Sequence, residues 1–197
     1  MLSSMYLCKP SREALGNWKA AFSGETSLFL DELKKAIDEI DPTSDAELDE
    51  LLWEYTRLFI GPYKLPCPPW ESVYTSPKRL MMQDAAGQVQ ALYAASGLAI
   101  NTDDIMPDHI GVELNFLAVL LQRAQSETGS KEEQTARADK LLNEHILKWA
   151  PQFTHDMENA AESTLYRALA RATRRAVEVI GRRPLTNIPV PSFPQRL

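Results

Sequence analysis

No apolar run in the 197-residue chain approaches the roughly 20 residues that a helix needs to cross a bilayer. The first ten residues carry a single lysine and no clean apolar stretch, so they do not read as a secretory signal. Only two cysteines are present, Cys8 and Cys67, far apart in sequence; that is no disulfide framework, and it points to a reducing compartment, the cytoplasm. The three histidines are poorly spaced for a metal. His145 and His155 lie ten residues apart with Pro151 between them, unlike the i, i+4 ligands of helical zinc sites. No nucleotide-binding glycine pattern, Gly-x-Ser-x-Gly elbow or Cys-x-x-Cys pair occurs. We therefore expect no metal, no cofactor and no catalytic residue. Internal repeats and low-complexity tracts are absent, and no segment alternates like a strand.

The composition is that of a globular protein, with 44% hydrophobic and 24% charged residues. A net charge of −6 disfavours nucleic acid as the main partner. The acidic excess lies in residues 1–160, whereas the last stretch is basic, with Arg167, Arg171, Arg174 and Arg175 at helical spacing. An acidic body attracts cationic ligands.

Helix signals follow one another along the chain. Ser11 opens a helix bearing Leu15, Trp18 and Phe22. Thr26 opens a second with Leu30, Leu33, Ile37 and Ile40 on one stripe, ended by Asp41-Pro42. Ser44 and Glu47 form a capping-box pattern for a third. Its residues Leu48, Leu51, Leu52, Tyr55, Leu58 and Phe59 recur every three or four positions, and Gly61-Pro62 stops it. Residues 60–75 are predicted non-helical because Pro62, Pro66, Pro68 and Pro69 remove donors. Ser76-Pro77 reads as a restart running to Gly97. A polar loop through Asn101 and Asp104 leads to Asp108, an N-cap for a helix with Ile110, Leu114, Leu117, Leu120 and Leu121. Ser130 and Glu133 start a helix reaching Trp149, Pro151 interrupts, and a long helix runs from Thr154 to Ile180. The expected fold is all-α, a compact multi-helix bundle. It forms one domain over residues 1–181, with room for two lobes meeting near 97–107, and an extended Pro-rich tail follows over 182–197.

Two segments stand out as candidate sites. Cys67-Pro68-Pro69-Trp70-Glu71-Ser72 places an indole among rigid prolines in a long irregular loop, a low-entropy apolar surface suited to a peptide side chain. A core plug braced by prolines is the competing reading. Pro107-Asp108-His109 offers a carboxylate that can pair with a ligand arginine and an imidazole that can carry a proton, or merely a cap and a core histidine. Tyr55, Leu58 and Phe59 read on their own as core-stripe residues. Cys67 is a weak candidate nucleophile, since nothing nearby lowers its pKa.

Taken together, these segments resemble the TorD/DmsD/NarJ family of chaperones for molybdenum-cofactor oxidoreductases. Tyr55-Thr56-Arg57-Leu58-Phe59 is similar to the family's aromatic-x-x-Leu-Phe motif. Gly61-Pro62 and Pro68 to Ser72 match the Gly-Pro and Pro-Pro-aromatic-Glu-Ser that follow it. Pro107-Asp108-His109 matches part of Glu-Pro-x-Asp-His, with Ile105-Met106 where the glutamate is expected. The resemblance implies a TorD-like all-helical fold and a non-enzymatic, system-specific chaperone. Such a protein binds the twin-arginine signal peptide of a molybdopterin-containing reductase or dehydrogenase precursor, and it is a monomer or homodimer without stable membrane insertion. It also implies an apolar wall of Tyr55, Leu58, Phe59, Pro69 and Trp70, and an acidic side made by Glu71, Asp108 and the Pro107–His109 turn. The rival from another class is a small hydrolase or transferase using Asp108 and His109.

Overall fold

The structure, a computed structural model, describes residues 1–24, 30–100, 105–125, 130–182 and Leu185. It is all-α: among the described residues the only β feature is an isolated bridge between Trp70 and His109. The chain forms two compact units, one of Met1–Pro69 with Pro151–Ala176, the other of Trp70–Ala150 with Val177–Leu197.

The first unit opens with a short helix that sequence reading missed, α1 (Leu2–Leu7), which buries Met5 and Tyr6. In α2 (Arg12–Phe22) the Ser11 hydroxyl accepts from the Ala14 amide at 3.1 Å, and Leu15, Trp18 and Phe22 are buried as their spacing predicts. The helix α3 (Asp31–Asp38) buries Leu33 and Ile37; its predicted opening at Thr26 lies outside the described residues. In α4 (Asp45–Phe59) Ser44 accepts from the Glu47 amide. The return half of the capping box is displaced, because the Glu47 carboxylate takes the Asp41 amide instead, at 3.0 Å. The buried stripe is narrower than predicted. Leu51, Tyr55, Leu58 and Phe59 are inside, but Leu52 is exposed and Leu48 half-buried. Gly61, at φ 102°, ends the helix in a conformation that side chains resist, its amide bonded to Thr56 O.

Pro151 does not interrupt its helix. α9 (Leu147–Ala160) runs through it, directly after a π-helical turn at Leu142–Ile146. The break falls at residues 161–163. There the buried Glu54 carboxylate accepts the Glu162 and Ser163 amides, and Ser163 Oγ accepts the Tyr166 amide at 3.2 Å, opening α10 (Thr164–Gly181). A cap supplied from α4, distant in sequence, decides this boundary.

In the second unit, α5 (Glu71–Thr75) lies inside the segment predicted to be non-helical. The predicted restart at Ser76-Pro77 is also corrected, since α6 spans Asp84–Ala95. Between them Leu80, Met81 and Met82 are exposed, so no burial rewards a helix there. Residues Asn101 and Asp104 and the tail beyond Leu185 lie outside the described residues. α7 (Ile110–Gln125) packs along α8 (Lys131–Leu141), and α5 packs against α6. Ser130 caps α8 through the Glu133 amide, as predicted. Within α7, Ile110, Leu117, Leu120 and Leu121 are buried as expected; Leu114 is only half-buried, and the adjacent Glu113 takes the fully buried place. Among the described residues no helix is long and apolar enough to cross a membrane.

Candidate functional site

The two motif segments in the second unit meet through Asp108. The residue was expected to cap its own helix, α7. Instead His109 occupies that position: its carbonyl accepts the Val112 and Glu113 amides, and its Nδ1 accepts the Gly111 amide at 3.1 Å. Asp108 turns the other way and caps α5. Its carbonyl accepts the Glu71 amide at 2.9 Å, and its Oδ2 accepts both the Ser72 amide at 2.9 Å and the Ser72 hydroxyl. Five residues make too short a helix to stand alone in water, so this cap from a distant turn is what holds α5. Trp70 and His109 join as the isolated bridge, and their rings meet edge-to-face with centroids 6.2 Å apart. Both are half-buried, as is Pro107, whereas Asp108 and Glu71 are buried.

Beneath these residues lies a polar cluster that sequence reading did not assemble. Glu71 Oε2 lies 2.8 Å from His145 Nδ1, both buried. Trp149 Nε1 donates to Glu113 Oε2 at 3.0 Å. Burial, reinforced by the negative charge of Glu71, pushes the Glu113 carboxyl well above its ordinary range and favours its protonated form. Glu113 carried one detectable signal: it sits three residues after Ile110 and four before Leu117, on the stripe that faces the core. His145 was weighed only as a metal ligand, and no metal-holding group of residues occurs among the described residues.

Two carboxyl oxygens of this buried region are left over, and Glu113 Oε1 is one of them. The other, Asp108 Oδ1, has no hydrogen-bond partner, although the residue is fully buried. His109 is neutral, since burial lowers it to about 4. No hydrogen bond joins the Asp108 carboxylate to the His109 ring, so the two do not form an acid–base dyad.

The other predicted site residues belong to the first unit. Tyr55, Leu58 and Phe59 lie in its core rather than on an open wall. Tyr55 Oη donates to the Tyr6 carbonyl at 2.8 Å, and Phe59 packs edge-to-face on Tyr6, Tyr55 and Tyr166. Pro69 is buried as well. Cys67 is fully buried, its thiol directed at the Leu58 carbonyl, and burial pushes it up to about 12. It is a structural thiol at neutral pH, not a nucleophile.

Residues 19–155 match the family model described as nitrate reductase delta subunit. The chain belongs to the nitrate reductase delta subunit family. The resemblance read from the Tyr55–Ser72 and Pro107–His109 motifs is thereby upheld, and relatives in this family carry chaperone names. The Tat proofreading chaperone DmsD of Salmonella typhi is 31% identical over 121 residues, 61% of this chain and 55% of that protein. The chaperone protein TorD of Vibrio cholerae is 28% identical over 183 residues, 86% and 82% respectively. This chain thus spans little more than half the length of the DmsD chaperone it matches. Its fold is similar to the crystal structure of a redox enzyme maturation protein from Archaeoglobus fulgidus, at TM-score 0.64 and 26% identity, covering 90% of each chain.

Proposed function

We propose that this nitrate reductase delta subunit family member is a cytoplasmic, non-enzymatic chaperone. In this reading it binds the twin-arginine signal peptide of a molybdenum-cofactor oxidoreductase precursor and assists its maturation before export. The carrying observation is the unpartnered, buried Oδ1 of Asp108. A carboxylate oxygen in that state gains most from a donor with charge, and an arginine guanidinium supplies two donors in a plane. Trp70 and His109, half-buried and in ring contact, are the groups that part to admit it and then flank the apolar residues that follow the arginines. A neutral His109 adds no positive charge to repel the arginine. Glu71 acts indirectly here, its carboxylate held by His145. Tyr55, Leu58, Phe59 and Pro69 act by shaping the core of their unit. The hydrolase or transferase reading is disfavoured, because Asp108 and His109 are engaged separately and the relatives are named as chaperones.

Titration calorimetry with a synthetic twin-arginine signal peptide tests this. The expected result is binding that weakens about tenfold or more when both arginines become glutamine. Equal affinity for the two peptides would defeat the proposal. Affinity capture from an anaerobically grown host should recover a molybdoenzyme precursor.

A further inference from the structure

The first unit has a groove that takes no part in the site above. It encloses about 790 Å³ along α3, α4 and the start of α10. Ala36, Ile40, Leu51 and Leu165 give it an apolar lining, the buried Glu54 with Ser163 and Thr164 a polar one, and Trp53 lines it 60% exposed. The rim is acidic: Glu39, Glu47, Asp49, Glu50 and Glu162 line it, and no lysine or arginine does. Cations stand near it but are committed, Lys19 to the Ile40 carbonyl at 2.8 Å. Lys35 pairs with Glu39 at 3.8 Å, and Arg57 pairs with Glu162 at 3.3 Å while lying 5.5 Å from the centre of the Trp53 ring. Asp49 and Glu50 have no ion-pair partner among the described residues. An indole left in water beside an apolar lining is a surface that gains from being covered, and tryptophan is the residue type most often dominant in such contacts.

We infer that this groove is a second docking site, for a peptide segment in which arginines or lysines flank a bulky apolar side chain. The apolar side chain lies on the apolar lining against Trp53, and the cations meet the rim. Charge complementarity decides the occupant: a phosphate-bearing or acidic partner is repelled by the same rim. Arg57 over Trp53 already shows a guanidinium taken by this ring within the chain. The inference uses the chaperone reading only for the source of the segment, a precursor's basic stretch.

The test uses the intact chain and a labelled synthetic peptide with two arginines on either side of one phenylalanine, followed by fluorescence anisotropy. Trp53→Ala, and Asp49→Lys with Glu50→Lys, alter exposed side chains and leave the fold in place. Measured in an Asp108→Asn background, which silences the site above, each is expected to weaken binding about tenfold or more, with added salt lowering it steeply. Binding that survives the first two variants within about twofold overturns the groove, as does no binding at about 1 mM peptide. Loss on Asp108→Asn alone also overturns the groove, while favouring the signal-peptide site. A concentration-dependent dimer that Trp53→Ala abolishes would show that a second copy occupies it, and would overturn the peptide.

Discussion

Replacing Asp108 separates its two duties, and the expected sizes follow from what it holds. In Asp108→Ala the buried Ser72 amide loses its acceptor and the Ser72 hydroxyl loses its partner on that side. Each unsatisfied buried group costs about 1–3 kcal/mol, and the Ser72 hydroxyl keeps some compensation because it still accepts the Gln83 amide at 3.3 Å. The alanine variant should therefore lose about 2–5 kcal/mol of stability, enough to unravel α5 and carry Trp70 with it. Asp108→Asn is different. Its amide oxygen, in the place of Oδ2, can accept both the Ser72 amide and the Ser72 hydroxyl, so the loss is that of one buried NH2 in the place of the free Oδ1, about 1–3 kcal/mol. The carboxylate charge that would meet an arginine is nevertheless gone, which should weaken signal-peptide binding by about 1–3 kcal/mol. Urea unfolding followed by far-ultraviolet circular dichroism, with calorimetry on the same samples, reads both quantities. The reasoning fails if the alanine variant is as stable as wild type within about 0.5 kcal/mol. The functional half fails if the asparagine variant binds peptide as tightly as the native chain.

Acid should destabilise the chain through His109, held at about 4 when folded and near 6.5 when unfolded. Between those values the unfolded state binds more protons, so stability falls as pH falls, by about 2 kcal/mol from pH 7 to 5. His109→Asn, which keeps an acceptor for the Gly111 amide, should flatten that part of the urea-midpoint profile. Glu113 works in the opposite sense. Its raised folded pKa makes the folded state hold the extra proton, so stability declines as pH rises above the ordinary carboxyl range. Glu113→Gln should cost less than about 1 kcal/mol at pH 7, because a neutral amide stands in for the protonated form that burial favours and keeps the Trp149 bond. It should also remove the alkaline slope; a large loss at pH 7 would show the carboxylate to be the required form. Glu54→Ala should lower stability by about 2–4 kcal/mol, measured by thermal unfolding, because it uncaps the Glu162 and Ser163 amides at the start of α10.

What could be read from sequence was what is local. The Ser11, Ser44 and Ser130 caps and the stripes of α2 and, apart from Leu114, of α7 depend on residues three or four apart, and the structure reproduces them. What escaped was decided by groups remote in sequence. Pro151 was read as a stop because a proline breaks an isolated helix, but the break went to residues 161–163, where Glu54 supplies a carboxylate. The same kind of displacement moved Asp108 from its own helix to α5, thirty-six positions earlier. In both cases an acidic side chain that would ordinarily be solvated is buried to cap a helix contributed from elsewhere in its unit.

That pattern changes how the site motif is to be understood. Pro-Pro-Trp-Glu-Ser and Pro-Asp-His read as two sets of ligand-facing residues, yet Ser72 and Asp108 bind each other, and Glu71 binds His145. Most of the motif therefore builds the platform, and in the proposed reading the ligand-facing part shrinks to Trp70, His109 and the one free oxygen of Asp108. The absence of glutamate at Ile105-Met106 is less damaging in that light, because α7 contributes a carboxyl of its own at Glu113, in the same buried cluster as Glu71. Burial favours the protonated form of Glu113, which lowers the negative charge of the cluster it shares with Glu71 and Asp108. Asp108 is then the carboxylate that a bound arginine has most to gain from reaching.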